Sequence, residues 1–144
     1  MRALVAYLTY SGNTEEVADC ISNYLVNDGF FVDKHEIGID PIMDVSRYDY
    51  LFLGTFTWDY GSTPEEVKEF ILEVGYKPKN VAGFGTGDTQ IGGEELFCKA
   101  VDKIAKFYNS SWKPLKIEQS PRGYQEKFIV DWLEGVLHDV KSLA

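Results

Sequence analysis

Short apolar runs alternate along the chain with longer stretches in which apolar residues recur at helical spacing. Arg2 to Leu8 is an almost unbroken apolar run (Ala3, Leu4, Val5, Ala6, Tyr7, Leu8), the pattern of a strand covered on both faces and therefore central in a parallel sheet. After a polar hexapeptide, Val17, Ala18, Ile21, Tyr24 and Leu25 mark the buried stripe of a helix, and Asp28-Gly29 supplies its stop. Phe30 to Ile37 alternates as a more exposed strand, and Tyr50 to Gly54 is a second buried one beyond the turn-rich stretch from Pro41 to Tyr48. Thr63-Pro64-Glu65-Glu66 predicts the start of the next helix, with Thr63 as cap, Pro64 in the first position and Val67, Phe70, Ile71 and Val74 as the inner face. Val81 to Gly85 reads as a fourth strand, Leu96, Phe97, Ala100, Val101, Ile104 and Tyr108 as a helix face, and Trp112 to Ile117 as a fifth strand. Phe128, Ile129, Trp132, Leu133, Val136, Leu137 and Val140 define a closing amphipathic helix.

Five strands alternating with helices predict an α/β fold, a doubly wound parallel sheet with helices on both faces in a three-layer sandwich, over one domain spanning 1–144, and of the strand orders such a sheet can take 2-1-3-4-5 is the one expected here. In that arrangement a ligand lies beyond the carboxyl ends of the strands, at the switch point between strands 1 and 3. The loops after strands 1, 3 and 4 are therefore the places to look for function.

Composition narrows the field. With 144 residues, 44% of them hydrophobic and 26% charged, the chain can build one substantial core but not two ordinary domains. It shows no charged and apolar leader and no apolar run near the ~18 residues of a membrane span, so a cytoplasmic protein without membrane association is expected. A formal charge of −9 argues against nucleic acid, which demands Lys and Arg against phosphate, and suits basic partners; it equally serves solubility. Cys20 and Cys98 fall in helical segments and read as small buried hydrophobes. His35 and His138 lack ligand-like spacing and read as surface or strand-end residues, so no metal site is expected.

Thr9-Tyr10-Ser11-Gly12-Asn13-Thr14 connects strand 1 to the first helix. Hydroxyls, an Asn amide and backbone N–H groups at a helix N-terminus are what a phosphate needs where no cation is at hand. Before position 34 the sole basic residue is Arg2, at the far end of strand 1, so neutral dipoles alone would hold the anion. In this loop neither Gly-Lys-Ser/Thr nor three spaced glycines are present, which excludes a P-loop and a dinucleotide fingerprint there. A turn that merely caps a helix has a similar composition.

At these residues the sequence resembles the flavodoxin family, whose Thr/Ser-x-Thr/Ser-Gly-Asn-Thr loop is matched by Thr9, Ser11, Gly12, Asn13 and Thr14. The likeness extends to Gly54-Thr55-Phe56-Thr57-Trp58 after strand 3 and Gly85-Thr86-Gly87-Asp88 after strand 4. It implies non-covalent FMN, with its phosphate in the first loop, Tyr10 included. Its ring would lie among Thr55, Phe56, Thr57, Trp58, Asp59, Tyr60 and Gly61 on one side and Thr86, Gly87, Asp88, Ile91 and Gly92 on the other. A large aromatic beside small polar residues suits a flavin ring, with Trp58 as the inner stacking residue, although Trp58 and Tyr60 could also simply cover the sheet edge. Family members often carry Gly after this aromatic, where a carbonyl turns toward flavin N5 and the next residue takes positive φ. Here that residue is Asp59. The third loop also departs from the family pattern, being longer and without an aromatic before Phe97, which leaves the outer ring face to Ile91 or backbone.

The resemblance implies a low-potential one-electron carrier and not an enzyme. It would take electrons from a basic flavodoxin reductase and pass them to acceptor redox enzymes as a monomer in transient contacts. Asp59, Asp88, Glu94 and Glu95 near the ring would oppose a second negative charge there and lower the second potential. The alternative is a flavodoxin-like activator of class Ib ribonucleotide reductase, favoured by the Gly-rich third loop and opposed by the acidity and by Trp58. A receiver module lacks its acidic cluster at the end of strand 1, where Leu8-Thr9-Tyr10 stand. A quinone or nitro reductase would need a second substrate pocket that no motif indicates.

Overall fold

The computed structural model describes residues 1–10, 12–41, 43–56, 63–87, 98–119, 121 and 123–143, with side chains to residue 138. Five strands, β1 (Arg2–Tyr7), β2 (Phe31–Glu36), β3 (Tyr50–Phe56), β4 (Val81–Gly87) and β5 (Leu115–Glu118), form one parallel sheet of order β2-β1-β3-β4-β5. Among the described residues the helices are α1 (Asn13–Asn27), α2 (Glu65–Val74), α3 (Lys99–Phe107) and α4 (Gln125–Leu143), with a 3-10 turn at Val45–Arg47. The predicted fold class and strand order are those observed.

The central strands are buried on both sides because helices cover both faces. Ala3, Val5, Tyr7, Phe52 and Phe84 pack with Val17, Ile21 and Leu25 of α1 and Ile129, Leu133 and Val136 of α4. Leu4, Ala6, Leu51 and Leu53 point the other way, onto Val67 and Phe70 of α2 and Ile104 of α3. Each fully buried Leu or Phe removes enough apolar surface from water to contribute roughly 1.5–3 kcal/mol, which is why the continuous apolar runs were readable as inner strands. The stop of α1 is a Schellman motif: Gly29 has φ 92°, its N–H donates to the Val26 carbonyl at 3.1 Å, and the Phe30 N–H reaches back to Leu25 at 3.0 Å.

Several local expectations are corrected. α2 starts at Glu65; Pro64 is its extended N-cap residue (ψ 144°) and no side chain caps it, so Thr63 lies one position too early to be the cap. β5 begins at Leu115 rather than Trp112, because Pro114 has no N–H to give a ladder, and the Trp112 ring instead packs on Tyr50 at 6.3 Å. Cys98 is buried, but as the N-cap residue of α3 at φ 52°, not inside a helix, while Cys20 is half-buried; both are free thiols. His35 stands at a strand end, next to the last residue of β2, but it is buried rather than on the surface: it is 4% exposed, with its ring 5.4 Å from that of Phe70. Leu96 and Phe97 lie outside the described residues.

Candidate functional site

The described parts of the three loops meet at the carboxyl edge of β1, β3 and β4. Gly12 caps α1 with φ 93° and ψ −9°, a left-handed conformation that glycine takes without the Cβ penalty other residues carry. Its N–H donates to Thr9 Oγ1 at 2.9 Å, and its carbonyl accepts the Glu16 N–H at 3.0 Å, the first bond of the helix. The amides ahead of that bond lack partners within α1, as at every helix start, and present the positive end of the helix dipole. Glu15 and Glu16 in the first turn share that dipole.

Thr14, next on the helix, is 1% exposed and its hydroxyl lies 2.8 Å from that of Thr86, itself 3% exposed near the end of β4. Either atom can be the donor. Two hydroxyls bring two protons, and the bond between them uses one. Neither residue makes another side-chain hydrogen bond among the described residues, so the pair has one hydroxyl proton beyond its mutual bond that it can offer to an acceptor.

β3 and β4 end side by side. Thr55 is fully buried and its hydroxyl donates to the Phe56 carbonyl at 2.9 Å, while the Gly87 carbonyl accepts the Gln119 N–H at 2.7 Å. Close approach is built into this edge: a Cβ at Gly85 would lie 2.1 Å from Val101 Cγ2 and 2.7 Å from the Thr55 carbonyl oxygen. The missing side chain lets α3 seat on the strands and so fixes where the loop between β4 and α3 ends.

At the ends of the paired strands β1 and β3, the Tyr10 ring lies 4.9 Å from that of Phe56, and its phenol donates a hydrogen bond to the Glu66 carboxylate in the first turn of α2. That bond raises the Tyr10 pKa. Burial first, and then Glu15, Glu36, Asp19 and Asp40, push the Tyr7 phenol up to about 12.

Of the sequence-predicted site residues, the structure thus brings together Thr9 with Gly12, Thr14 with Thr86, and Tyr10 with Phe56, and places Asn13, Thr55 and Gly87 beside them. Ser11, Thr57, Trp58, Asp59, Tyr60, Gly61, Asp88, Ile91 and Gly92 lie outside the described residues. Sequence reasoning missed Glu66 as the partner of Tyr10, having placed it only at the start of the second helix, and it did not see that Thr14 and Thr86 share one hydrogen bond. No periodicity or motif announces either pairing.

An open doubly wound sheet with an anion-ready helix N-terminus at its switch point defines a class of α/β proteins that hold a phosphate-bearing cofactor there. The comparisons make this specific: the flavodoxin family profile matches residues 5–110, and the chain belongs to the flavodoxin family as a short-chain member. It is 35% identical over 140 residues to probable flavodoxin 2 of Bacillus subtilis, covering 91% of each chain, and 36% identical over 128 residues to probable flavodoxin 1 of that organism, covering 83% of this chain and 79% of the relative. Among solved structures it resembles oxidised flavodoxin 2 from Bacillus cereus (TM-score 0.80, 30% identity, 96% and 99% coverage). It also resembles a short-chain flavodoxin associated with a bacterial microcompartment (TM-score 0.84, 27% identity, 96% and 98% coverage).

Flavodoxin-family proteins bind FMN and carry electrons. The residues present here fit that cofactor's phosphate on their own chemistry. Gly12 lets the backbone curl, α1 offers its first amides, and the Thr14–Thr86 pair has a proton to give.

Proposed function

We propose that this flavodoxin is a low-potential one-electron shuttle that takes electrons from a basic reductase and delivers them to acceptor redox enzymes in the cytoplasm, as a monomer and without a substrate of its own. The observation that carries the reading is the set of ties at the carboxyl edge, Gly12 to Thr9, Thr14 to Thr86 and Tyr10 to Glu66, which fix the phosphate loop against β4 and α2.

In this reading Thr9, Tyr10, Ser11, Gly12, Asn13 and Thr14 hold the FMN phosphate by hydroxyls, amides and the dipole of α1. Thr55, Phe56, Thr57, Trp58, Asp59, Tyr60 and Gly61 hold one side of the ring, with Trp58 against the inner face, and Gly87, Asp88, Ile91 and Gly92 line the other, while Thr86 of the same edge is tied to Thr14 of the phosphate loop. When bound, FMN supplies reversible one-electron chemistry, and the protein sets its potentials and its exposure. Asp59, Asp88, Glu94 and Glu95 disfavour accumulation of negative charge beside the phosphate, which lowers the second potential. The formal charge of −9 steers a basic donor onto the molecule.

A second reading, activation of a class Ib ribonucleotide reductase, is favoured by the Gly-rich third loop with no aromatic before Phe97. Stopped-flow electron delivery from a basic flavodoxin reductase tests the shuttle. A rate that falls steeply between ~20 and ~300 mM salt is expected; slow, salt-independent reduction favours the second reading.

A further inference from the structure

We infer that Thr86 is a positioning residue for the cofactor phosphate, acting through Thr14 by donating its hydroxyl proton to Thr14 Oγ1 and thereby releasing the Thr14 proton for the anion. This rests on the FMN site proposed above and assigns Thr86, at the end of β4, a role on the phosphate rather than on the ring.

The two hydroxyls are 2.8 Å apart, both are almost completely buried, and the pair carries one proton more than its mutual bond consumes. Of the two residues, Thr14 stands in the first turn of α1, beside the amides that face an anion, whereas Thr86 stands in a strand. A phosphate at α1 makes the orientation Thr86 to Thr14 to phosphate the favoured one, because a hydrogen bond to a charged acceptor is stronger than one between neutral groups and polarises the bond behind it. With the opposite orientation the spare proton belongs to Thr86, which has no acceptor among the described residues. Removing the Thr86 hydroxyl leaves Thr14 free to rotate its proton away, so the loss falls on the phosphate alone.

The test is flavin binding by fluorescence quenching on apoprotein, with FMN and riboflavin compared, since riboflavin has the ring and no phosphate. Thr86→Val is expected to weaken FMN about fivefold, the size of one modest hydrogen bond, and to leave riboflavin unchanged. Thr86→Ser restores FMN binding, and Thr86→Val adds no further loss in a Thr14→Val background. Thr86→Ala gives the same FMN-specific loss should the Val variant fail to fold. Unchanged FMN affinity, equal weakening of FMN and riboflavin, or a fully additive loss on Thr14→Val would each overturn the inference. Failure of the unsubstituted protein to bind FMN would instead overturn the proposed function.

Discussion

The same substitution, Gly to Ala, is expected to have opposite effects at two positions of this chain. Gly54 pairs with Tyr7 of β1 and Phe84 of β4, and a Cβ there would lie 2.2 Å from both Cε2 and Cζ of the Phe84 ring. Carbon atoms in contact settle near 3.5–4.0 Å, so the ring has to retreat by more than ~1 Å. Phe84 has 0% exposure and is enclosed by the layer that α1 and α4 form. Overpacking of this kind costs about 1–3 kcal/mol, against which the reduced freedom of the unfolded chain returns under ~1 kcal/mol. Gly54→Ala should therefore lose about 2 kcal/mol and, at roughly 3–4 °C per kcal/mol for a chain of this size, about 6–8 °C in Tm. Gly135 lies exposed within α4 with nothing within 4 Å of an added Cβ, so Gly135→Ala should gain about 0.5–1 kcal/mol from helix propensity. Urea unfolding of both apoproteins, followed by far-UV circular dichroism, gives the midpoints, and an unchanged m confirms that stability alone has moved. Gly54→Ala as stable as the parent, or both variants shifting in one direction, would refute the packing argument.

Three further outcomes follow from other sites. Burial lowers the His35 pKa from its ordinary 6.5, against smaller opposing effects of Asp40 and Glu73. The unfolded chain then binds the proton more readily, and the stability His35 contributes is complete above about pH 6.5 and declines as pH falls below it. His35→Leu should flatten that part of the stability profile, and an unaltered slope would show that His35 does not cause it. Asp59→Gly should raise the first reduction potential by some tens of millivolts, because a non-Gly residue at positive φ costs on the order of 1 kcal/mol and ~1.4 kcal/mol corresponds to about 59 mV for one electron; spectroelectrochemistry measures it, and no shift would dismiss the backbone argument here. Tyr10→Phe, which removes the hydrogen bond to Glu66, should speed FMN dissociation about two- to threefold with an unchanged urea midpoint, as befits an exposed tie; an unchanged dissociation rate would separate Tyr10 from cofactor retention.

How much of this was legible in the sequence differs between fold and site. The inner strands announced themselves because residues buried on both faces leave no polar positions, as at Leu4, Val5, Phe52 and Leu53. Alternation of strands and helices gave the parallel doubly wound sheet, while the order 2-1-3-4-5 was one choice among the arrangements such a sheet allows. What escaped were decisions taken by one neighbour in space. His35 looks like any polar residue on an edge strand until Phe70 of α2 covers it. Trp112 has the character of a strand residue, but Pro114 ends the ladder and the ring turns to Tyr50. In the site, the turn from β1 into α1 was readable because it is local: Gly12 and the helix start follow from adjacent residues. The Thr14–Thr86 bond joins residues of α1 and β4 that no local pattern relates.

The central claim, a one-electron FMN carrier, is tested most directly by an anaerobic reductive titration of the FMN-loaded protein at controlled potential, followed by visible absorption. Two well-separated one-electron steps, the second at much lower potential, are expected. Coincident steps, amounting to a single two-electron reduction, would contradict it.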